Sequence, residues 1–369
     1  MYSQNDLDDA VAAGAISAES ATALRAYMDR SRSTSAVDEE HFRLITGFND
    51  IFVSIAAVIL LVAVGWIGQS IGHSAGTAIE GNGPSFLAPF AVAATSWGLA
   101  MFFTAKRRMA LPSILLLLAF VGSVFATAGM LLVQAVGVHQ LDDNAQLGGI
   151  VGAGAAAIAA GAAWLHWRTF RVPITVAAGA AAVSAIAVGL LVAALGDRAE
   201  EMRNIMLGFV LVLGVATFLF AMWWDSSDPG RITRRSDVAF WLHLLAAPMI
   251  VHPIFSLLGL NDGSATVGEG LMVVLLYVLI GLAALAIDRR ALLVSALAYV
   301  LFALQSLFER AGAIELNIAL TALVIGSSLL LLSAFWHQAR GAVVRPLPEG
   351  LKARLPLLDR TALVSQPAA

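Results

Sequence analysis

Two histidines, His243 and His252, stand nine residues apart in an apolar stretch, with Pro248 between them and Pro253 directly after the second. Ionisable side chains inside a membrane segment are costly and point to function by default. Imidazole is the side chain that exchanges a proton near neutral pH. Nine residues set the two rings on opposite faces of a straight helix, so they converge only where Pro248 bends it sharply. The competing reading for each ring is a neutral, hydrogen-bonded packing residue. Gln134 and Gln305 place further polar groups in two other apolar runs, and Glu309 and Glu315 flank the last loop. His252, His243, Gln134 and Gln305 therefore form the candidate intramembrane polar site, with His252 leading.

His139, Asp142 and Asp143 cluster just beyond the run that carries Gln134. Imidazole and carboxylates together suit a divalent ion, so these are the metal-ligand candidates, with a solvated loop as the competing reading. No cofactor is expected. Gly72-His73-Ser74-Ala75-Gly76 matches the G-x-S-x-G pattern of hydrolases. That motif works only on a strand–elbow–helix turn with a separate His and acid. Here it follows an apolar helix in a short segment, and a flexible outer loop is the expected structure. H-E-x-x-H and Walker A patterns are missing from the chain, so no catalytic residues are assigned.

These groups must be positioned by ten apolar runs, at about 51–71, 86–105, 110–137, 148–167, 172–195, 205–224, 238–260, 271–287, 291–308 and 318–336. Most are long enough to cross a hydrocarbon core of about 30 Å, which takes about 20 helical residues. The composition agrees. The chain is 59% hydrophobic and 13% charged, with a mean hydropathy of +0.83, whereas soluble domains are about one quarter charged. The expected fold is all-α, a polytopic bundle of ten transmembrane helices. A net charge of −3 gives no reason to expect a nucleic-acid partner. The chain has no cysteine, which removes disulfides and thiolate sites. The first apolar run follows a long polar, acidic stretch, and is expected to stay as a span rather than be cleaved.

Basic residues set orientation, because they stay on the cytoplasmic side. Of 22 Lys and Arg, 19 fall on one side of the runs, and only Arg198, Arg203 and Arg310 on the other. The predicted topology has both termini in the cytoplasm. Trp164, Trp167, Trp223, Trp224, Trp241 and Trp336 fall at the same predicted inner interface, where an indole can face both headgroups and tails. Two lysines among many arginines and alanines suggest a GC-rich bacterial genome, and hence a bacterial inner membrane.

Three regions follow. Residues 1–47 read as a cytosolic helical module: Ala13-Gly14-Ala15 breaks a hairpin, and Ser17 caps its second helix. A juxtamembrane helix then leads into the first span. Residues 48–336 are the transmembrane domain. Residues 337–369, broken by Pro346, Pro348, Pro356 and Pro367, read as a disordered cytosolic tail with a short helix near 351–355. Lys106-Arg107-Arg108 before Leu111-Pro112-Ser113 is echoed by Asp288-Arg289-Arg290 before Leu293-Val294-Ser295, which hints at a parallel repeat of four-helix units. Gly149, Ala153, Ala157 and Gly161 on the fourth run, and Ala177, Ala181, Ala185 and Gly189 on the fifth, make small-residue stripes that let two helices pack closely.

The stretch Phe42-Arg43-Leu44-Ile45-Thr46-Gly47-Phe48-Asn49-Asp50-Ile51-Phe52-Val53, the pattern Ala13-Gly14-Ala15-Ile16-Ser17 and the segment Ile287-Asp288-Arg289-Arg290-Ala291-Leu292-Leu293 resemble a group of uncharacterised bacterial multi-pass membrane proteins, grouped under a domain of unknown function. The resemblance implies an inner-membrane helical protein and supplies no catalytic residues. The expected function is transporter-like or permease-like, with the lipid bilayer as the chain's surroundings. One alternative is a membrane scaffold or sensor that engages a cytosolic protein partner through residues 1–47. The other is an intramembrane enzyme acting on lipid.

Overall fold

The structure, a computed structural model, describes residues 11–24, 48–142, 144–198, 201–229, 231, 233–259, 267–290, part of 292–308, 317–352, 355, 356 and 358. Gln305, Asp143, Glu309, Glu315 and the juxtamembrane stretch before Phe48 lie outside the described residues. The chain divides into two units, residues 1–43 with 359–369, and residues 44–358. In the first, Gly14 takes a left-handed φ of +69°, and the Ser17 Oγ accepts the Ser20 N–H at 3.0 Å. That is the expected break and cap: a short polar side chain satisfies a free donor at the helix start.

The second unit is helical because an apolar chain in lipid must satisfy its own backbone groups, and a helix does so locally. Its elements are α1 (Phe48–Ser74), α2 (Leu87–Phe103), α3 (Ala110–Val136), α4 (Val138–Asp142), α5 (Ala145–Phe170), α6 (Ile174–Leu195), α7 (Arg203–Ser226), α8 (Arg234–Leu257), α9 (Val267–Ile287), α10 (Asn317–Ala334), α11 (Trp336–Val344) and α12 (Glu349–Lys352). Among the described residues no strand forms, only an isolated Ala78–Ser85 bridge. Among the described residues, seven helices are long and apolar enough to cross a membrane: α1, α3, α5, α6, α7, α8 and α9. Their outer faces carry large apolar side chains such as Phe52, Ile59, Trp66, Val212 and Leu219, all exposed. The protein is therefore an all-helical, multi-pass membrane protein.

The remaining apolar runs behave differently. The second forms α2, apolar but only 17 residues long. The tenth breaks at Phe335, where α10 and α11 meet at 75°. Of the ninth, the described residues are helical, and Leu292, Leu293, Ala296 and Val300 are buried. Helix α11 and the short α12 occupy the start of the segment read from sequence as tail. Trp336, Arg340 and Val344 on α11 are buried, which polar composition alone does not reveal.

Close backbone approach at glycines holds helix pairs together. A Cβ on Gly149 would lie 2.5 Å from the Ala193 nitrogen and 2.6 Å from the Gly189 oxygen, so α5 and α6 touch backbone to backbone. The small-residue stripes predicted this packing. The buried face of α5, however, runs Gly149, Ala153, Ala156, Ala159 and Ala163, while Ala157 and Gly161 are exposed. A strict i+4 series gains about 40° per step on a 3.6-residue helix and drifts off the contact face. Gly214 plays the same part for α7, meeting Met249 of α8.

The basic turns gather at one end of the bundle. Phe103, Leu116 and Phe170 share one apolar cluster, Trp167, Trp224 and Val238 another, and Arg231 bonds Asp288. Arg108, Arg171, Arg231 and Asp288 all turn the chain there with left-handed φ of 52–56°. At the opposite end, the loop after α1 is pinned rather than loose. Gln69 accepts the Ser85 N–H at 2.9 Å and donates to the Gly83 carbonyl at 3.0 Å. Gly72 makes room, since a Cβ there would collide with the Ser85 side chain.

Candidate functional site

The turn between α7 and α8 is built to bring charge inward. Asp225 sits one residue before the end of α7. Two residues past that end, Asp228 accepts both the N–H and the hydroxyl of Thr233, at 2.8 and 2.7 Å. Thr233 in turn caps α8 by accepting the Arg235 N–H at 3.3 Å. The turn is thereby closed on itself, and Arg231, at left-handed φ, is directed back into the protein.

Against this turn lies the end of α9. Arg289 donates from Nε to Asp225 Oδ2 at 3.1 Å and from Nη2 to Asp225 Oδ1 at 2.6 Å. Its Nη2 also donates to the Ser236 carbonyl at 3.1 Å. A planar guanidinium matches a carboxylate in this two-pronged way, which gives direction as well as strength. Arg231 donates to Asp288 Oδ2 at 2.9 Å and to the carbonyls of Ile287 and Asp288, both at 3.0 Å. Its Nε lies 3.9 Å from Asp225. The other Asp288 oxygen accepts the Trp336 indole N–H at 2.7 Å. Arg340 Nε stands 3.8 Å from that oxygen, while Arg340 Nη2 donates to the Pro356 carbonyl at 2.6 Å.

The side chains of Asp225, Asp288, Arg231, Arg289 and Arg340 are all at most 4% exposed. Arg289 heads the fully buried side chains by size. Isolated, each charge would carry a desolvation penalty of several kcal/mol. Here two carboxylates, Asp225 and Asp288, interleave with Arg231, Arg289 and Arg340, and each of their oxygens has a donor. The ends of α7, α8, α9 and α11 are thus joined by electrostatics as well as by packing. Asp237, half-buried one turn into α8, stands at the rim within Coulombic reach of Arg289 and Arg234.

His243 completes the centre. It lies about two and a half turns into α8, fully buried, with its ring against Phe218 at 5.2 Å between centroids. Its Nε2 is 3.5 Å from Asp225 Oδ2, long for a hydrogen bond, and its Nδ1 has no partner. Among the described residues no group of three His, Asp or Glu is placed to hold a metal ion.

The structure separates the residues that the sequence grouped. Helix α8 runs unbroken through Pro248 and Pro253, leaving His252 exposed while His243 is buried. Gln134 lies at the opposite end and donates to the Thr77 carbonyl, helping to pin the loop after α1. His139 and Asp142 are exposed on the short α4. Ser74 donates to the Ser70 carbonyl at 3.1 Å on an ordinary helical turn, so the G-x-S-x-G segment is no nucleophile elbow.

The sequence reading gives no role to Asp225 or Asp228, takes Asp288 and Arg289 as part of a repeat and of a family resemblance, and takes Arg231 and Arg340 as markers of sidedness alone. The signal was present: carboxylates flanking apolar runs on the basic side, where solvation alone gives them no partner. Trp336 belongs to this network rather than to an interfacial belt, unlike the exposed Trp164 and Trp223. A further buried histidine, His166, also escaped attention. Its Nδ1 lies 3.3 Å from the Thr175 hydroxyl, within a cage of Trp97, Phe120 and Phe170.

No family model, curated protein or solved structure matches the chain. What it does must be argued from the chemistry of this buried charge cluster.

Proposed function

We propose that the protein is a transporter-like membrane protein in which the Asp225–Arg289 cluster is an ionic clasp that closes one end of the bundle. The observation that carries this reading is the two-pronged Arg289–Asp225 pair, buried where the ends of four helices meet. A buried ion pair adds little stability compared with apolar packing of the same volume, and ionisable groups in membrane helices default to function. Alternating access needs an end that opens and closes as helices rock. Ion pairs suit that task, being either made or broken.

The clasp involves the basic turns, so under the positive-inside rule it faces the cytoplasm. Ten spans with both termini cytoplasmic fit this reading, with α2, the apolar run at 291–308 and the bent α10 completing the count. Membership in the bacterial inner-membrane group that the sequence resembles belongs to the same proposal. The substrate class stays open.

The absence of native cysteine makes the test direct. A cysteine replacing Ala247, buried one turn beyond His243 on α8, reports access through the clasp. Arg289→Lys keeps the charge but loses the fork. In protein of unchanged elution profile, it should speed labelling of that cysteine by an impermeant thiol reagent added at the cytoplasmic face. Equal labelling rates with and without Arg289→Lys would reject the gate.

A further inference from the structure

At the end opposite the clasp, the contacts of Gln69 fix the state of the histidine beside it. The Gln69 side chain accepts the Ser85 N–H at 2.9 Å, which a carboxamide can do only through its oxygen. Its Nε2 is therefore the amide nitrogen, a donor with two hydrogens. One hydrogen goes to the Gly83 carbonyl at 3.0 Å. His73 Nε2 lies 3.1 Å from the same nitrogen and 3.2 Å from the same carbonyl. An amide nitrogen does not accept, so His73 Nε2 must accept the second hydrogen. The imidazole that completes this arrangement is neutral, with its proton on Nδ1. His73 is exposed in the last turn of α1, whereas Ser85 is fully buried.

The geometry points to a proton-sensitive latch at this end of the bundle, in which neutral His73 keeps Gln69 on the loop and protonated His73 releases it. Histidine is the side chain that changes charge between about pH 5 and 8. With a proton on Nε2, the ring sets an N–H against an N–H of Gln69, and both donors compete for the Gly83 oxygen. The ring can keep that oxygen, because a charged donor makes the stronger bond. Gln69 then turns away, and the Ser85 N–H loses its acceptor inside the protein, where an unmet donor is costly. The loss reaches the start of α2, since the Ser85 hydroxyl accepts the Leu87 N–H at 3.3 Å and lies 2.8 Å from the Thr77 hydroxyl. Other titratable groups on the surrounding elements are Glu80 in the loop, and His139 and Asp142 on α4 beyond the end of α3; α2 and α3 carry none. The latch stands apart from the clasp, because none of its contacts involves Asp225 or Arg289.

The test is hydrogen–deuterium exchange of the full chain in nanodiscs at about pH 8 and about pH 5, with rates corrected for the intrinsic effect of pH on amides. Segment 79–86, which holds the Ser85 amide, should exchange about tenfold faster in acid, the size expected when a buried donor loses its partner. His73→Gln still offers an oxygen to Gln69 and cannot take up the proton, so the segment should stay protected at both pH values. His73→Arg offers donors only, so the segment should exchange fast at both. Protection that is the same at the two pH values in the unsubstituted protein would overturn the latch. So would an acid response that survives in His73→Gln, which would assign it to Glu80, His139 or Asp142, or full protection of His73→Arg at the higher pH. His73 is exposed, so neither change threatens the fold. Labelling of a cysteine at position 247 is a separate readout, so failure here leaves the gate reading standing, and the reverse holds too.

Discussion

Arg289 and Asp225, 64 positions apart in the chain, form a two-pronged pair at 2.6 and 3.1 Å in which neither side chain is more than 2% exposed. The pair closes the ends of α7 and α9 on each other. Around it, Arg231 and Trp336 bring the α7–α8 turn and α11 onto Asp288. The energetic consequence is asymmetric. Taking away one member leaves the other charged and buried, which is worse than never having had the pair.

Arg289→Gln or Asp225→Asn should therefore destabilise the protein by about 3–5 kcal/mol. The double substitution should cost clearly less than the sum of the two, because it leaves no orphan charge. Thermal unfolding in detergent, followed by tryptophan fluorescence, measures all three. Additive losses would mean that the two side chains do not share one interaction.

How far the sequence carries a reader is clear from these same residues. Apolar runs and their lengths predict the helices, because lipid leaves the backbone no other local solution. The 19-to-3 basic bias predicts which turns share an end, and the structure brings the turns at Phe103, Phe170, Arg231 and Asp288 to one end. Burial was not legible. Arg231 and Arg290 look alike in the sequence, yet one donates to Asp288 and the other lies over the Trp336 ring. The difference depends on which carboxylate arrives from a helix more than fifty residues away, and no local pattern encodes that. His252 led the sequence reading for the same reason: periodicity places two histidines on opposite faces but does not say which face is inside.

His243 and His252 should accordingly separate under mutation. His252→Ala, on an exposed helix face, should cost less than the same change at His243. His243→Ala empties a fully buried site beside Asp225 and Phe218, and should cost about 2–5 kcal/mol, as other buried large-to-small changes do. Parallel melting curves decide it, and a larger loss for His252→Ala would contradict the packing described here.

Helix packing offers a cleaner contrast. Gly149→Ala puts a methyl group 2.5 Å from the Ala193 backbone and should cost about 1–3 kcal/mol. Gly161→Ala meets nothing within 4 Å and should be neutral or slightly stabilising, since alanine is the better helix former. Equal effects at the two glycines would show that α5 and α6 do not meet along the Gly149–Ala163 face.

Orientation has its own readout. Asn82, exposed in the pinned loop after α1, and Ser227, exposed in the α7–α8 turn, lie at opposite ends of the bundle. With single cysteines in intact cells, position 82 should react with an impermeant thiol reagent, and position 227 only after permeabilisation. The opposite pattern would invert the proposed topology. Ser85 is a poor reporter because its side chain is buried against Thr77 and Gly72.

The most direct test of the clasp as a gate is a distance measurement across it. Spin labels on cysteines at Ser227 and Gln338, both exposed, sit on the α7–α8 turn and on α11. Double electron–electron resonance in nanodiscs should show a dominant short distance in the otherwise unchanged protein. Arg289→Lys should shift population into a second, longer distance. An identical distribution in both proteins would mean that the buried charges hold a fixed structure and open nothing.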